Sequence, residues 1–246
     1  MDDKESRMQF PIFIKDRKKG SMAGEHGSRQ HEDAPLFHEQ FKALRAKIND
    51  YLEKEGARTL AITSSIAEEG KTVTSVNLAM NIASTGRKKV LLVDTDMRKC
   101  DLARGMNLNP FPGLSEFLSG TANAKDILRN SLVQGLHVIP AGSALHTPAD
   151  LLAGEKFRSF LKSALDAFDV ILLDTPPVLP VADTLSLRDQ VDRFLLVYRA
   201  GFTPYPMLRQ VVAEIGEQKI LGVVINRVKP MTDRYYKQYY GKYYRK

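Results

Sequence analysis

The segment SSIAEEGKTVTSVNLAMNIA starts at residue 64 and contains the triplet Gly70, Lys71 and Thr72. An apolar run precedes the triplet and a helical pattern follows it, which is the context of a loop that wraps phosphate groups. In such a loop backbone amides bind the phosphates, a lysine neutralises their charge and a hydroxyl holds Mg²⁺. Lys71 and Thr72 fit these roles, although Ser65 replaces the first glycine of the pattern GxxxxGK[ST]. The predicted nucleotide contacts are Ser65, Glu69, Gly70, Lys71, Thr72 and Val73. A strand-to-helix turn with an exposed lysine is the alternative.

Three aspartates follow two further apolar runs. Asp94 and Asp96 come at and just after the end of VLLVD, and Asp174 ends VILLD. Carboxylates that converge at neighbouring strand ends repel one another unless a cation compensates them. A Mg²⁺ ion between these side chains and a triphosphate would supply that charge, with the Thr72 hydroxyl and Asp174 at the metal. Each aspartate alone could instead cap a helix or sit in a turn.

Short apolar runs alternate with helical patterns along the chain, and they indicate the elements that position these residues. Strands that are apolar on both faces are typical of a parallel sheet covered by helices. The sequence therefore predicts an α/β fold with a doubly wound, mostly parallel sheet of the P-loop type, with its ligands beyond the carboxyl ends of the strands. The predicted strands are TLAIT (59–63), VLLVD (90–94), LHVIP (136–140), VILLD (170–174), RFLLVY (193–198) and LGVVIN (221–226). An amphipathic helix precedes them, with an apolar stripe of Phe37, Phe41, Leu44, Ile48 and Leu52.

The chain has 246 residues, one cysteine and a net charge of +7. Residues 227–246 contain seven Lys or Arg and one Asp, so they carry +6 of that charge. The near-neutral remainder argues against a broad nucleic-acid-binding face, and no run is long enough to span a membrane. We expect a cytoplasmic protein with a flexible leader (1–34), one domain (35–230) and a tail (231–246).

Together these motifs resemble the bacterial tyrosine kinases of capsule and exopolysaccharide synthesis, the BY-kinases. The likeness rests on TSSIAEEGKT, VLLVDTDMR, ILLDTPP, GVVINRV and a tyrosine-rich end. It implies that ATP and Mg²⁺ bind here, that Asp94 accepts the tyrosine proton, and that Asp96 and Asp174 serve the metal. By the same resemblance Arg98 steadies phosphate oxygens, with a surface salt bridge as its alternative, and Asn226 contacts adenine.

The resemblance also implies partners. The helix residues Glu39, Lys42 and Arg45 are similar to an ExxRxxR oligomerisation motif, which predicts a homo-oligomer or ring; a solvated helix face is the competing interpretation. Such kinases act with a membrane polysaccharide co-polymerase that activates them, and with a tyrosine phosphatase. We expect recruitment to the inner face of the membrane by that partner.

The tyrosine-rich tail would supply the phosphate acceptors. Its sixteen residues could extend about 50 Å at ~3.3 Å per residue, far enough to reach a neighbouring subunit. Membrane-interface anchoring and stacking on single-stranded nucleic acid are minor alternatives. The predicted acceptors are Tyr235, Tyr236, Tyr239, Tyr240, Tyr243 and Tyr244.

Two other functions fit the same fold. Partition- and septum-positioning ATPases carry a signature lysine five residues before the P-loop lysine, where this chain has Ile66. A catalytically inactive adaptor is the third possibility, because Glu68 stands where the kinase family commonly has glycine. A glutamate there would repel the triphosphate unless its side chain points outward.

Overall fold

The computed structural model describes residues 12–15 and 33–228, with side chains from residue 37 onward. The strands are β1 Ile12–Lys15, β2 Thr59–Ser64, β3 Val90–Asp94, β4 Arg129–Asn130, β5 Leu136–Ile139, β6 Val170–Asp174, β7 Arg193–Arg199 and β8 Ile220–Val228. The helices are α1 Asp33–Glu55, α2 Lys71–Ala83, α3 Leu102–Gly105, α4 Leu114–Ser119, α5 Ala149–Ala153, α6 Glu155–Ala167 and α7 Tyr205–Ile215. Two short 3₁₀ turns cover Leu185–Leu187 and Glu217–Lys219.

The strands of this part of the chain form one sheet in the order β1-β8-β7-β2-β6-β3-β5-β4. Every neighbouring pair is parallel except β4 with β5. Strand β2 lies between β7 and β6 near the middle of this order. Because β2, β3, β6, β7 and β8 run parallel, the loops that follow these strands lie at the same edge of the sheet. The predicted doubly wound, mostly parallel α/β fold is confirmed.

Two apolar cores cover the two faces of the sheet, and alternation along each strand explains both. In β3, Val90 and Leu92 pack in one core, whereas Leu91 and Val93 pack in the other. Helices α1 and α2 cover the first face, and α4, α6 and α7 contribute to the second. A strand buried on both faces must be apolar at every position, which is why the central strands appear in the sequence as unbroken apolar runs.

The predicted amphipathic helix is α1, and its apolar stripe faces the sheet. Phe41, Leu44, Ile48 and Leu52 are each at most 2% exposed, and Phe37 packs against them at the edge of the core. The three- and four-residue steps of the stripe match one face of a helix. This helix also packs on α2, the helix that follows the phosphate loop.

Two strands were not predicted. Ile12–Lys15 lies in the segment expected to be a flexible leader, and it pairs in parallel with β8 at the sheet edge, where Ile14 is opposite Asn226. The two-residue β4 is too short to leave a periodic pattern. The rest of the predicted leader up to residue 32, and the predicted tail, lie outside the described residues. Within the described ranges no helix is both long and apolar enough to cross a membrane.

Candidate nucleotide-binding and catalytic site

The phosphate loop connects the buried strand β2 to α2, and Gly70 closes it as the N-cap of the helix. Gly70 has φ 96° and, as glycine, has no side chain that could cap the helix end. A Cβ at this position would lie 2.2 Å from the Asn226 side-chain nitrogen, and side chains rarely adopt this positive φ, so the position favours glycine. The first amides of α2 therefore face outward without a side-chain cap, and the positive end of the helix dipole is free to bind an anion.

Lys71 is the first residue of α2 and points into a group of carboxylates. Its ammonium nitrogen lies 3.0 Å from Asp96 Oδ2, and both side chains are largely buried. Burial alone would lower the pKa of Lys71, but the charges of Asp174 and Asp96 outweigh it and the pKa is raised. The lysine is therefore a fully charged ammonium at neutral pH.

Asp94 and Asp174 end neighbouring strands at the same level, because they are directly paired in the register of β3 with β6. Asp174 Oδ1 accepts a 2.8 Å hydrogen bond from the Ser75 hydroxyl, and the Asp96 amide donates to Asp94 Oδ1 at 3.0 Å. The three predicted carboxylates thus converge, as parallel strands require. The cation among them is Lys71, for which the sequence predicts a contact to phosphate.

Burial raises the pKa of two of these carboxylates. It raises the pKa of Asp94 well above its usual range, and the charges of Asp174 and Asp96 raise it further. It also raises the pKa of Asp174, against the opposing effects of Lys71 and of hydrogen bonds from Thr72 and Ser75. Asp94 Oδ2 is buried and has no hydrogen-bond partner, so one oxygen of the proposed base is available to take a proton.

The residues present fit a nucleoside triphosphate with Mg²⁺. The uncapped helix end and Lys71 can take phosphate oxygens, and the Thr72 hydroxyl lies beside Asp174, where a Mg²⁺ ion could use both. Among residues 12–15 and 33–228, however, no three His, Cys, Asp or Glu side chains are arranged to hold a metal by themselves. Mg²⁺ commonly binds through one or two carboxylates and completes its shell with phosphate and water. A metal at this place would therefore depend on the nucleotide.

Two acidic residues of the loop point in opposite directions. Glu68 is exposed and has φ 66°, a left-handed backbone that favours glycine and costs about 1 kcal/mol for other residues. Its charge faces outward, so the expected repulsion of the triphosphate is reduced. Glu69 is fully buried and directs its carboxylate into the protein, which places it behind the loop and away from a bound phosphate.

The remaining predicted nucleotide contacts differ in their surroundings. Ser65 is buried and its hydroxyl has no hydrogen-bond partner, whereas the Val73 side chain is 55% exposed on the outer surface of α2. Asn226 donates from its side-chain nitrogen to the Glu69 carbonyl oxygen at 2.8 Å. Asn226 therefore supports the phosphate loop directly.

Arg98 is held by Asp183, a residue that no sequence motif indicates. Its Nε and Nη2 donate to the two carboxylate oxygens of Asp183 at 2.6 and 3.0 Å. The Arg98 side chain is 34% exposed, whereas Asp183 is 1% exposed. Arg98 therefore forms a salt bridge, which was its alternative, but through two hydrogen bonds and with a buried partner.

The three residues of the expected oligomerisation motif lie on α1. Lys42 and Glu39 pair within the helix at 2.6 Å, and both are exposed. Arg45 instead donates to the Asn81 carbonyl oxygen at 3.2 Å, near the end of α2. Of the three, only Glu39 and Lys42 are therefore exposed side chains without a contact to another helix. The six tail tyrosines lie outside the described residues.

Three further residues at the site are not part of the predicted motifs: Ser75, Asp183 and Thr203. Ser75 lies four residues after Lys71, so helical spacing could have placed it beside the site. Asp183 and Thr203 reach the site from loops that follow β6 and β7, and nothing in their neighbouring residues signals this.

The fold and this site define a P-loop nucleoside triphosphatase, with the phosphate loop after the central strand β2 and carboxylates at the ends of β6 and β3, the next two strands of the sheet. A family model described as an AAA domain matches residues 57–215. The putative tyrosine-protein kinase EpsB of Ralstonia solanacearum is 33% identical over 219 residues, covering 88% of this chain and 29% of EpsB. The tyrosine-protein kinase CpsD of Streptococcus agalactiae is 35% identical over 204 residues, covering 80% of this chain and 85% of CpsD. The chain belongs to this family of bacterial tyrosine-protein kinases, and it spans less than a third of EpsB.

Solved structures agree with this family. The kinase domain of the Escherichia coli tyrosine kinase ETK superposes with a TM-score of 0.79 at 25% identity, covering 90% of this chain and 91% of that domain. The cell division ATPase MinD of Pyrococcus furiosus gives a TM-score of 0.60 at 28% identity, covering 72% and 75% of the two chains. The fold is thus shared with ATPases that are not named as kinases.

Proposed function

We propose that this chain is an ATP-dependent protein-tyrosine autokinase that modifies its own C-terminal tyrosines, in trans within an oligomer, and so regulates exopolysaccharide or capsule export. One observation carries the proposal: Lys71 at the open end of α2 meets Asp96, while Asp94 keeps a buried oxygen without a hydrogen-bond partner. This combines a phosphate-binding cation with a proton acceptor of raised pKa, as general base catalysis requires.

The transfer follows from these groups. Phosphate oxygens replace Asp96 as the partner of Lys71, and the uncapped amides of α2 bind the same anion. A tyrosine oxygen bonds to the γ-phosphorus as the bond from that phosphorus to the bridging oxygen breaks, and ADP leaves with the electron pair. The phenolic proton passes to Asp94 and then to water. Mg²⁺, when bound, would neutralise part of the triphosphate charge.

The tail supplies both the acceptors and a switch. Residues 227–246 carry a net charge of +6, and six phosphates would add roughly −9 to −12. Attraction of the tail to the acidic site of a neighbouring subunit would then become repulsion. We propose that unmodified tails support an oligomer through α1 contacts that include Glu39 and Lys42, and that phosphorylation releases it. A tyrosine phosphatase would reverse the change.

A membrane polysaccharide co-polymerase is the proposed activator that recruits the chain to the membrane. The relatives named EpsB and ExoP are several times longer than the aligned region. ExoP of Rhizobium meliloti is named as a succinoglycan biosynthesis transport protein. These names support a role beside a polysaccharide export machine.

A positioning ATPase without transfer to protein is the second candidate, and the likeness to MinD favours it. Ile66 argues against it, because those ATPases have their signature lysine at this position. Transfer of phosphate to tyrosine, as opposed to release into water, separates the two.

A mixing experiment tests the kinase proposal. The Lys71→Met variant keeps all tail tyrosines but lacks the phosphate-binding charge, and a six-fold Tyr→Phe tail variant keeps the site but lacks acceptors. After incubation with MgATP, mass spectrometry should find no phosphotyrosine on the tail of either variant alone, and phosphotyrosine on the Lys71→Met tail when the two are mixed. Tyr205→Phe, which removes a tyrosine that is 61% exposed in the folded domain, should behave as the wild type.

The other outcomes are also decisive. Wild-type protein that releases free phosphate without labelling tyrosine would be a positioning ATPase. Protein that binds nucleotide but does neither would be an adaptor. Tail labelling of the Lys71→Met variant alone would remove the phosphate loop from the mechanism.

A further inference from the structure

Glu69 is buried in the middle of the phosphate loop, between two residues with left-handed backbones. Glu68 has φ 66° and Gly70 has φ 96°. The Glu69 side chain accepts a hydrogen bond from the Ile66 amide at 2.8 Å on one oxygen. Its other oxygen accepts hydrogen bonds from the Thr203 hydroxyl at 2.5 Å and from the Arg199 amide at 3.1 Å. The carboxylate therefore closes the loop on itself and ties it to the end of β7.

The connection from β7 to α7, residues 200–204, is fastened to the loop at further points. The Arg199 guanidinium donates to the Glu68 carbonyl oxygen at 3.2 Å, and the Asn226 side chain donates to the Glu69 carbonyl oxygen at 2.8 Å. The Tyr198 hydroxyl, from β7, also donates to the Thr203 carbonyl oxygen of the connection at 2.7 Å. The phosphate loop thus lies against a preformed support built from β7, β8 and residues 200–204.

The negative charge of Glu69 is unfavourable for binding a triphosphate, so its presence in the loop needs a reason. A carboxylate behind a loop that must receive a triphosphate repels that ligand, because the charges have the same sign and the interior screens them weakly. On electrostatics alone, glutamine would be the better residue for binding. The three donors aimed at the carboxylate give it a different use, since the two backbone amides among them, of Ile66 and Arg199, can be satisfied only by an acceptor.

We propose that Glu69 and Thr203 form a positioning pair that keeps the phosphate loop in its anion-receiving shape. Glutamine would present its NH₂ group at one of the two oxygen positions, which would leave either the Ile66 amide or the Arg199 amide without an acceptor. The loop would then spread over several conformations, and nucleotide would have to select the competent one. This inference rests on the proposed function in one respect, namely that the nucleotide bound by the loop is ATP.

The test measures the equilibrium affinity of an N-methylanthraniloyl-ATP with Mg²⁺ by fluorescence. Glu69→Gln should weaken binding about tenfold, equivalent to about 1.4 kcal/mol, although it removes a repelling charge. Glu68→Gln removes the same charge from the exposed neighbour and should tighten binding slightly. Thr203→Val should weaken binding in the same direction as Glu69→Gln, and Thr203→Ser should restore it because it keeps the hydroxyl.

Further readouts separate positioning from chemistry and from folding. In tyrosine phosphorylation assays, Thr203→Val should raise the KM for ATP and leave kcat within about twofold, since the carboxylates at the ends of β3 and β6 are untouched. The double variant Glu69→Gln/Thr203→Val should be no weaker than Glu69→Gln alone. If Glu69→Gln does not fold, Thr203→Val and Thr203→Ser decide the question.

Tighter binding by Glu69→Gln, or unchanged binding by Thr203→Val, would overturn the positioning role. Wild-type protein that binds the analogue but phosphorylates no tyrosine would refute the proposed function and leave this inference standing.

Discussion

Single side chains at the site are held by partners that lie far along the chain. Arg98 and Asp183 are 85 residues apart and form two hydrogen bonds of 2.6 and 3.0 Å. The hydrogen bonds to Asp183 are the main reason that the pKa of Arg98 is raised, and burial opposes the rise. Asp183 is buried and pairs with this cation, so we expect the pair to contribute to stability.

Arg98→Ala should lower the free energy of unfolding by about 3 kcal/mol, because it leaves a buried carboxylate without its cation. Arg98→Ala/Asp183→Asn, which removes both charges, should recover part of that loss. Urea denaturation measures both. Arg104→Ala is the control, since its pair with Asp101 is exposed and should contribute less than about 1 kcal/mol. Equal effects of Arg98→Ala and Arg104→Ala would contradict a structural role. The double variant should remain defective in transfer if Arg98 contacts phosphate.

Strands β2 and β7 are also joined at their amino-terminal ends, on the side of the sheet opposite the site. One oxygen of Asp192 accepts hydrogen bonds of 2.8 Å from the amides of Arg58 and Thr59 and from the Thr59 hydroxyl. Burial alone would raise the pKa of Asp192, but these hydrogen bonds outweigh it and the pKa is lowered. The carboxylate therefore stabilises the junction of two central strands in its charged form.

Asp192→Asn should lower the free energy of unfolding by about 1–2 kcal/mol at pH 7, after allowance for partial exposure to solvent. The pKa of Asp192 is lower in the folded state than its value of about 3.9 in the unfolded chain. The stability that this difference gives is therefore present above about pH 3.9 and is lost as the pH falls through the pKa of the folded state. The difference between wild type and variant should therefore be largest at neutral pH and shrink below about pH 4. Urea denaturation at several pH values measures it.

Asp189→Asn serves as the matched control for Asp192→Asn. The Asp189 side chain is 86% exposed and 3.8 Å from Arg188, so its replacement should change stability by less than about 0.5 kcal/mol at every pH. A stability difference for Asp192→Asn that stays constant from pH 7 to pH 3.5 would show that its charge is not the source.

For the protein as a unit, the distribution of charge is the property most relevant to assembly. The net charge is +7, and +6 of it belongs to residues 227–246. Phosphates on six tyrosines would add roughly −9 to −12 and make the chain net negative. Because like charges at close range destabilise association, assembly is expected to depend on the state of the tail.

Light scattering should find a larger mass for the six-fold Tyr→Phe variant with MgATP than for wild-type protein that mass spectrometry shows to be fully phosphorylated. High salt should reduce this difference, since screening weakens repulsion between exposed charges. Tyr205→Phe should follow the wild type. The same mass for the six-fold variant and the phosphorylated protein would refute the proposed switch.

The amino-acid sequence by itself determined the elements and the class of the site. Apolar runs over 90–94 and 170–174, and the apolar stripe of α1, predict buried strands and a covering helix, because periodicity is a local property of the chain. The Gly-Lys-Thr triplet after a strand predicts the phosphate loop for the same reason. Asp94, Asp96 and Asp174 could be placed together because parallel strands end at one edge.

Only the tertiary structure decided which partners these residues take. Lys71 meets Asp96, Asp183 holds Arg98, and Thr203 contacts Glu69 across 134 residues of sequence. Such contacts depend on the order of strands and on how loops pack at the sheet edge. No spacing along the chain encodes that geometry, because the free energy of each contact is set by neighbours that folding brings from elsewhere.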